Sequence, residues 1–514
     1  MHRPPFLLLV LSSLATVVEA GQWQFTPSVS LREIYSDNIG LSETDPQDDW
    51  VTELTPALNL RGQSDRFQMS LNASAQLLYY QDASINDGDH TETNPALAFN
   101  STTTVLPSLL FLDLGGTAGQ RLTSSNNRGS YDNIALSGDR SDYYTYNVAP
   151  YLRHRSRNGH FLELRAEHSV SEFEEGEPNT GDVLNDTETE SYRLRADNQS
   201  AASRLHWSLS GNKRYVDRVA SGQSDSRFQD GQLDLSFELA KTIDLLARAG
   251  TTENELSGYD SEFNGDYSAA GMRWSPNRRF HLSAMSGTNY EDAEMAWKPS
   301  QRSEFNLGYR NSTVGLVRGP SWRANMALHG RHFGSTLSYT EEVTTEQQLL
   351  QDGAQLVPLL DDAGNPVVDP ITNLPLFTLQ PNYAIADDEF QRDRAALTLS
   401  WKARRGNLSL SLAAEERHYL NRTELDSDGE DIVLALNMPL SGSYSLISQY
   451  RDSHTVYRND GDVEDFRLLS ISLRTNLSPR SYASLGVQRA EQISDRTIQS
   501  YEEGRIIAEL VMRF

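Results

Sequence analysis

The 514-residue chain contains no cysteine. A disulfide scaffold and a thiolate zinc site are therefore excluded. Beyond the first twenty residues it has no uninterrupted apolar run of about eighteen, the length a membrane-crossing helix needs. Positive charge is scarce: 45 Lys and Arg stand against 71 Asp and Glu, a formal net charge of −26. Nucleic acid is bound by clustered Lys and Arg, so this balance argues against it as a partner. Only 38% of residues are hydrophobic. Yet 22 Tyr, 17 Phe and 7 Trp are too many for a solvated coil. Such a chain must fold while burying less continuous apolar sequence than a globular protein of its size.

The first twenty residues, MHRPPFLLLVLSSLATVVEA, open on His2 and Arg3, continue through an apolar run from Phe6 and close on Val18-Glu19-Ala20. That is the layout of a secretory signal peptide cleaved after Ala20. Residues 1–20 are thus read as a leader and 21–514 as the mature, exported chain.

Beyond Gly21 the dominant period is two. Leu233, Leu235, Phe237 and Leu239 alternate with Gln232, Asp234, Ser236 and Glu238. Leu205, Trp207 and Leu209 alternate with His206, Ser208 and Ser210, and the pattern recurs from Leu408 to Ala414 and from Arg505 to Phe514. Each such segment is a strand with one apolar and one polar face. A soluble sandwich also alternates, but the connections here are of two kinds. Tight turns rich in basic residues, as at Arg61 to Arg66, Arg155 to Gly159, Ser275 to Arg279, Lys298 to Arg302, Lys402 to Asn407 and Ser478 to Arg480, alternate with long acidic loops. The latter include Glu43 to Asp49, Glu172 to Glu190, Glu253 to Asp266, Glu424 to Asp431 and Asp460 to Asp465. Aromatics gather near strand ends at Trp50, Tyr79-Tyr80, Tyr143-Tyr144, Trp274, Trp297 and Trp401. Short turns at one rim, long loops at the other and aromatic girdles describe an outer-membrane barrel.

The expected fold is all-β: a transmembrane antiparallel up-and-down β-barrel in the bacterial outer membrane. Tight turns near residues 63, 107, 157, 202, 241, 277, 300, 331, 405, 441 and 479 imply about 24 strands, with a range of about 22 to 26. The span from Phe280 to Tyr309 requires a turn at Tyr290 to Ala293 that carries no loop signal. Phe514, closing the last amphipathic strand, fits recognition by the barrel-assembly machinery.

Three segments carry a family resemblance: Trp23-Gln24-Phe25-Thr26-Pro27-Ser28-Val29, Tyr35-Ser36-Asp37-Asn38-Ile39-Gly40-Leu41 and Val51-Thr52-Glu53-Leu54-Thr55-Pro56-Ala57-Leu58. With Ser338-Tyr339-Thr340-Glu341-Glu342-Val343-Thr344-Thr345, this opening resembles the PEP-CTERM system-associated outer membrane protein family. Gly308 to Thr313 lacks the fuller Arg-aromatic-Gly pattern of that family. The resemblance implies an exported barrel encoded beside exopolysaccharide and exosortase loci, and it carries over no catalytic residue.

A barrel of that width encloses more space than side chains fill, so inward faces should be polar. Glu163, Arg165 and Glu167 on one strand and Arg193, Arg195 and Asp197 on the next are read as an inward ladder of opposite charges. Tyr151, Arg153, Arg165, Arg193 and Arg195 are the candidates for a translocation path, Arg and Tyr offering hydrogen bonds and stacking faces to a hydrated polymer. The longest loop, from about Val343 to Phe390, holds turn signals at Asp361 to Pro366 and Asp369 to Pro375 among apolar residues. It is expected to fold as a hairpin over the mouth or into the lumen. Asp426 to Asp431 and Asn459 to Asp462 offer oxygen ligands around a glycine but do not complete a calcium loop, and are read as solvated hairpin tips. No hydrolase or phosphate-loop motif is present; His168-Ser169 and His206 with Ser208 and Ser210 are the nearest pairings. The chain is therefore read as no enzyme, with no metal or other cofactor.

The expected role is a porin-like conduit in export or assembly of extracellular polysaccharide. Its expected partners are outer-membrane lipid and lipopolysaccharide, the barrel-assembly machinery, polysaccharide and periplasmic export components. The competing expectation is a non-conducting structural or docking barrel that anchors polymer or partner proteins.

Overall fold

Alternation along the chain becomes alternation across a wall. In Tyr501–Arg513, Ile506 and Met512 are exposed on one side while Arg505 and Val511 are buried on the other. The computed structural model describes residues 21–82, 89–122, 132–136, 140–173, 186–198, 203–218, 225–255, 261–344, 356–358, 377–379, 390–403, 406–420, 423–495 and 500–514. The leader read at residues 1–20 lies outside the described residues.

The strands in chain order are β1 (Gln22–Ser36), β2 (Asp49–Gln63), β3 (Phe67–Tyr80), β4 (Thr91–Leu106), β5 (Leu110–Leu122), β6 (Arg140–Arg155), β7 (His160–Phe173), β8 (Thr187–Asn198) and β9 (Leu205–Arg218). Then come β10 (Ser226–Ala240), β11 (Ile243–Glu255), β12 (Gly265–Asn277), β13 (Phe280–Thr288), β14 (Tyr290–Ser300), β15 (Ser303–Ser312), β16 (Gly319–His329) and β17 (Phe333–Thr344). A short ribbon of β18 (Leu356–Pro358) and β19 (Phe377–Leu379) precedes β20 (Phe390–Ala403), β21 (Gly406–Tyr419), β22 (Ser427–Pro439), β23 (Tyr444–Tyr457), β24 (Val463–Ser478), β25 (Ser481–Ser494) and β26 (Tyr501–Arg513).

Apart from the ribbon, these form one 24-stranded sheet in which successive strands pair antiparallel. It closes where β1 pairs β26, with Leu31 opposite Leu510. Closure removes both sheet edges, the condition for spanning lipid with strands. The protein is a transmembrane up-and-down barrel of the outer membrane, with short turns at the periplasmic rim and long loops outside. Each anticipated tight turn falls between two consecutive strands at the periplasmic rim, those near residues 202 and 405 lying outside the described residues.

Three readings need correction. The turn between β13 and β14 falls at Asn289, whose φ of 59° is left-handed, and not at Tyr290 to Ala293. Asn tolerates that conformation better than most residues, which is why so tight a reversal needs no glycine. Tyr80 is no girdle residue: it is fully buried on the inner face, whereas Tyr79 is 51% exposed on the outer one. Asp428 to Asp431 lie within β22 rather than at a hairpin tip, the reversal being made by the 3-10 turn Thr423–Leu425. Of the Val343 to Phe390 loop, the described part is the β18–β19 ribbon, paired from Leu356 opposite Leu379 to Pro358 opposite Phe377.

Candidate functional site: the inner wall

The register places all eight residues anticipated for the lumen on one face. Leu152, Leu162, Leu164 and Tyr192 point to lipid at 41–47% exposure, so the intervening positions face inward. Arg153 sits opposite Glu163 and donates to it at 2.6 Å. Arg165 donates to Asp113 at 2.7 Å, across two strands. Arg165 and Arg193 are directly opposed, an unfavourable pair of like charges. Glu167 resolves it, lying 3.5 Å from Arg165 and 3.0 Å from Arg193. Arg195 pairs along its own strand with Asp197 at 3.4 Å rather than with Glu163 opposite. Tyr151 stacks on Phe111 with centroids 5.0 Å apart, and the guanidinium groups of Arg153 and Arg165 each lie 5.0 Å from its ring. Arg193 and Arg195 keep 57% and 65% of their side-chain surface open.

The same parity, carried around the barrel, exposes a second polar sector that the sequence reading passed over. Tyr267 stacks on Tyr290 at 5.1 Å, and Arg248 and Arg310 lie 5.4 and 5.5 Å from the Tyr290 ring. Arg248 pairs with Asp234 at 2.5 Å and donates to the Tyr290 hydroxyl. Gly250 permits this arrangement: a Cβ there would meet the Tyr267 ring at 2.4 Å. A third group surrounds Glu415, which accepts from Arg392 and Arg394, each at 2.8 Å, and from Arg417 at 2.8 Å along its own strand. Arg392 also reaches Glu342, placing that residue of the Ser338 to Thr345 segment inside while Glu341 accepts from Tyr339 at 2.8 Å outside.

Where β1 meets β26 the wall is covered from within. The stretch Tyr35 to Leu41 leaves β1 and turns inward, with Ile39 and Leu41 fully buried. Asp37 binds the Gly504 backbone from both its amide, at 3.1 Å, and its carboxylate, at 2.7 Å. The Asn38 side chain donates to the carbonyls of Ser42 and Glu502 and accepts from the Ser42 amide. Residues 132–136, from the loop after β5, lie against the same wall. Leu136 donates its amide to Ile39, Tyr80 donates its hydroxyl to the Ile134 carbonyl, and Asp132 pairs with Arg505. Burial pushes the Asp132 carboxyl up, but the Arg505 guanidinium holds it below the ordinary carboxylate value. Ile134 joins Ile34, Ile39, Val51, Leu78 and Tyr80, while Ala135 joins Leu41, Phe466, Leu468, Ala490 and Tyr501. Nothing in the local sequence marks Asp132 for this role; only the closed ring brings it to Arg505.

The pairing of residues 168 and 169 dissolves on the same parity, whereas His206, Ser208 and Ser210 share the inner face of β9. His168 and Ser169 occupy opposite faces of β7, His168 lying 3.5 Å from Glu188. Among the described residues, no cluster of three or more acidic or His side chains is arranged to hold a metal. The acidic run in β22 is instead paired with arginines, Asp428 with Arg458 at 2.5 Å and Asp431 with Arg451 at 2.9 Å.

The site is the hydrated inner wall of an outer-membrane barrel. No protein-family model and no curated protein matches the chain. Solved structures do. The FrpB iron transporter of Neisseria meningitidis, F5-1 variant, aligns as the apoprotein with a TM-score of 0.51 and 10% identity, over 95% of this chain and 81% of that one. A second structure of that variant gives 0.50 and 9%, over 95% and 82%. The siderophore receptor PirA from Pseudomonas aeruginosa covers 96% of this chain and 80% of its own at 11% identity, with a TM-score of 0.43. At such identities the likeness to FrpB is one of fold.

Proposed function

We propose that this barrel is a porin-like conduit for a hydrated polar polymer, taking part in export or assembly of extracellular polysaccharide. The observation that supports it is the inner face of β5–β8. Arg193 and Arg195 there are held by carboxylates yet left largely open, beside a Tyr151 ring already flanked by the guanidinium groups of Arg153 and Arg165. Such a surface offers fixed hydrogen-bond donors to a polyhydroxylated chain while staying wet, with the buried Tyr151 ring holding guanidinium groups in place. The polymer class comes from the resemblance to the PEP-CTERM system-associated family. The likeness to FrpB brings no ferric ligand here, since at 9–10% identity it is a likeness of fold alone.

Reconstitution in planar bilayers tests this. The conduit reading expects a steady current, blocked by added acidic polysaccharide, with the block weakened by Tyr151→Ala or Arg165→Ala. Absence of current, both in the intact chain and after removal of residues 345–389, would overturn it. The second reading, a docking barrel, draws on the wall covered by Ile39, Leu41 and residues 132–136. It expects polymer binding without current.

A further inference from the structure

The chain is strongly acidic overall, yet its periplasmic rim is basic. Five of the 7 tryptophans, namely Trp23, Trp207, Trp274, Trp297 and Trp401, lie at the periplasmic ends of their strands. Four of these are 42–53% exposed on the outer face. In the turns and strand ends beside them stand Arg66, Arg204, Lys241, Arg278, Arg279, Arg302, Arg331, Lys402 and Arg480, all exposed. The collar is partly organised: Arg204 lies 5.9 Å from the Phe237 ring, and Arg279 donates to the Pro299 carbonyl at 3.2 Å. Glu304, a carboxylate on this rim, is already held by Lys298 at 2.9 Å.

We propose that this collar binds the phosphate headgroups of anionic phospholipids in the periplasmic leaflet. Indole rings settle at the headgroup level of a bilayer, and cations one turn further out then meet the phosphates. Each such cation near an anionic surface favours binding on the order of fivefold. A soluble polyanion would meet the turn cations equally well but would leave the outward Trp belt unused, so lipid fits both observations. The proposal concerns the outward face of the periplasmic rim and is independent of whether the lumen conducts.

The test is native mass spectrometry of the full-length barrel, released from micelles containing equal phosphatidylglycerol and phosphatidylethanolamine. Retained phosphatidylglycerol should predominate by about tenfold or more. Combined Arg278→Gln, Arg279→Gln, Arg302→Gln and Arg331→Gln should abolish the preference, and the corresponding four Lys substitutions should restore it. Heat-modifiable gel mobility verifies that each variant is folded; should the Gln variant fail, raising ionic strength on the intact chain should abolish the preference instead. Equal retention of both lipids, or a preference that survives both loss of the cations and high salt, overturns the proposal. So does cation-dependent capture of lipid A or of soluble polyglucuronate in place of phosphatidylglycerol.

Discussion

The barrel has two unlike halves. Along β20–β26 and β1–β3 the strands run to 13–16 residues, and inner faces there are covered by Ile39, Leu41 and residues 132–136. Along β13–β16 they run to 9–11 residues, and β13 and β14 are joined through the single residue Asn289. Among the described residues, the large side chains withdrawn from solvent include Arg417, Arg505, Tyr80, Tyr457, Phe390, Ile34, Ile39, Leu41, Leu78, Ile134 and Gln492. All belong to the tall half or to the segments folded against it. Strands of 9–11 residues suffice to cross a bilayer. Those that overshoot raise an inner face above the membrane, and its apolar residues must then be covered. The tall half does so with Ile39, Leu41, Ile134 and Ala135, segments folded in over the strands, whereas the inner cluster of Leu246, Ala269, Met285 and Tyr290 on β11–β14 is built from the wall strands themselves.

That contrast can be broken most sharply through charge. Arg505→Ala strands Glu503 and Asp132 in the covered half and should cost roughly 3–5 kcal/mol. Arg310→Ala, on the open half with 41% of its side chain exposed, should cost about 0–1 kcal/mol. Urea unfolding in detergent micelles, followed by tryptophan fluorescence, measures both; equal losses would erase the distinction. The outer face should respond alike on the two halves, because both meet the same hydrocarbon. Leu434→Arg on β22 and Leu307→Arg on β15, at 38% and 39% exposure, should each cost about 2–4 kcal/mol when refolding into vesicles. A large gap between them would mean that one half does not face lipid.

A more modest effect within the covered half is the most selective. Asp132→Asn should cost about 1–3 kcal/mol at neutral pH, the worth of a charge-assisted hydrogen bond to the buried Arg505 from a half-buried carboxylate. Its native carboxyl lies below the ordinary 3.8, so its contribution is fully present above that value and fades as pH falls through the lowered one. The unfolding midpoints of wild type and Asp132→Asn should therefore stay apart down to roughly pH 4 and converge below it. Convergence near neutrality would show that Arg505 does not hold this carboxylate.

Much of this architecture was legible beforehand because a strand's period is fixed by its backbone. Leu152, Leu162 and Leu164 alternate with Arg153, Glu163 and Arg165, and once one face is assigned to lipid the other must point inward. The same rule applied to β10–β15 or to β20–β21 would have found Arg248, Tyr290 and Glu415, so those omissions were of attention rather than of signal. The pairing inside the lumen was less legible. Arg195 faces Glu163 in register but binds Asp197, since long side chains choose among neighbours along and across strands.

By itself, then, the sequence determined what depends on near neighbours: strand, face, turn position and hence a barrel of about 24 strands. Tertiary structure decided what depends on distant ones. Asp132 and Arg505 lie 373 positions apart, and Ser36 donates to Glu503 across a separation of 467. No local pattern encodes such meetings, because it is closure of the ring that sets the first strand beside the last and gives the loops above that junction a wall to pack against.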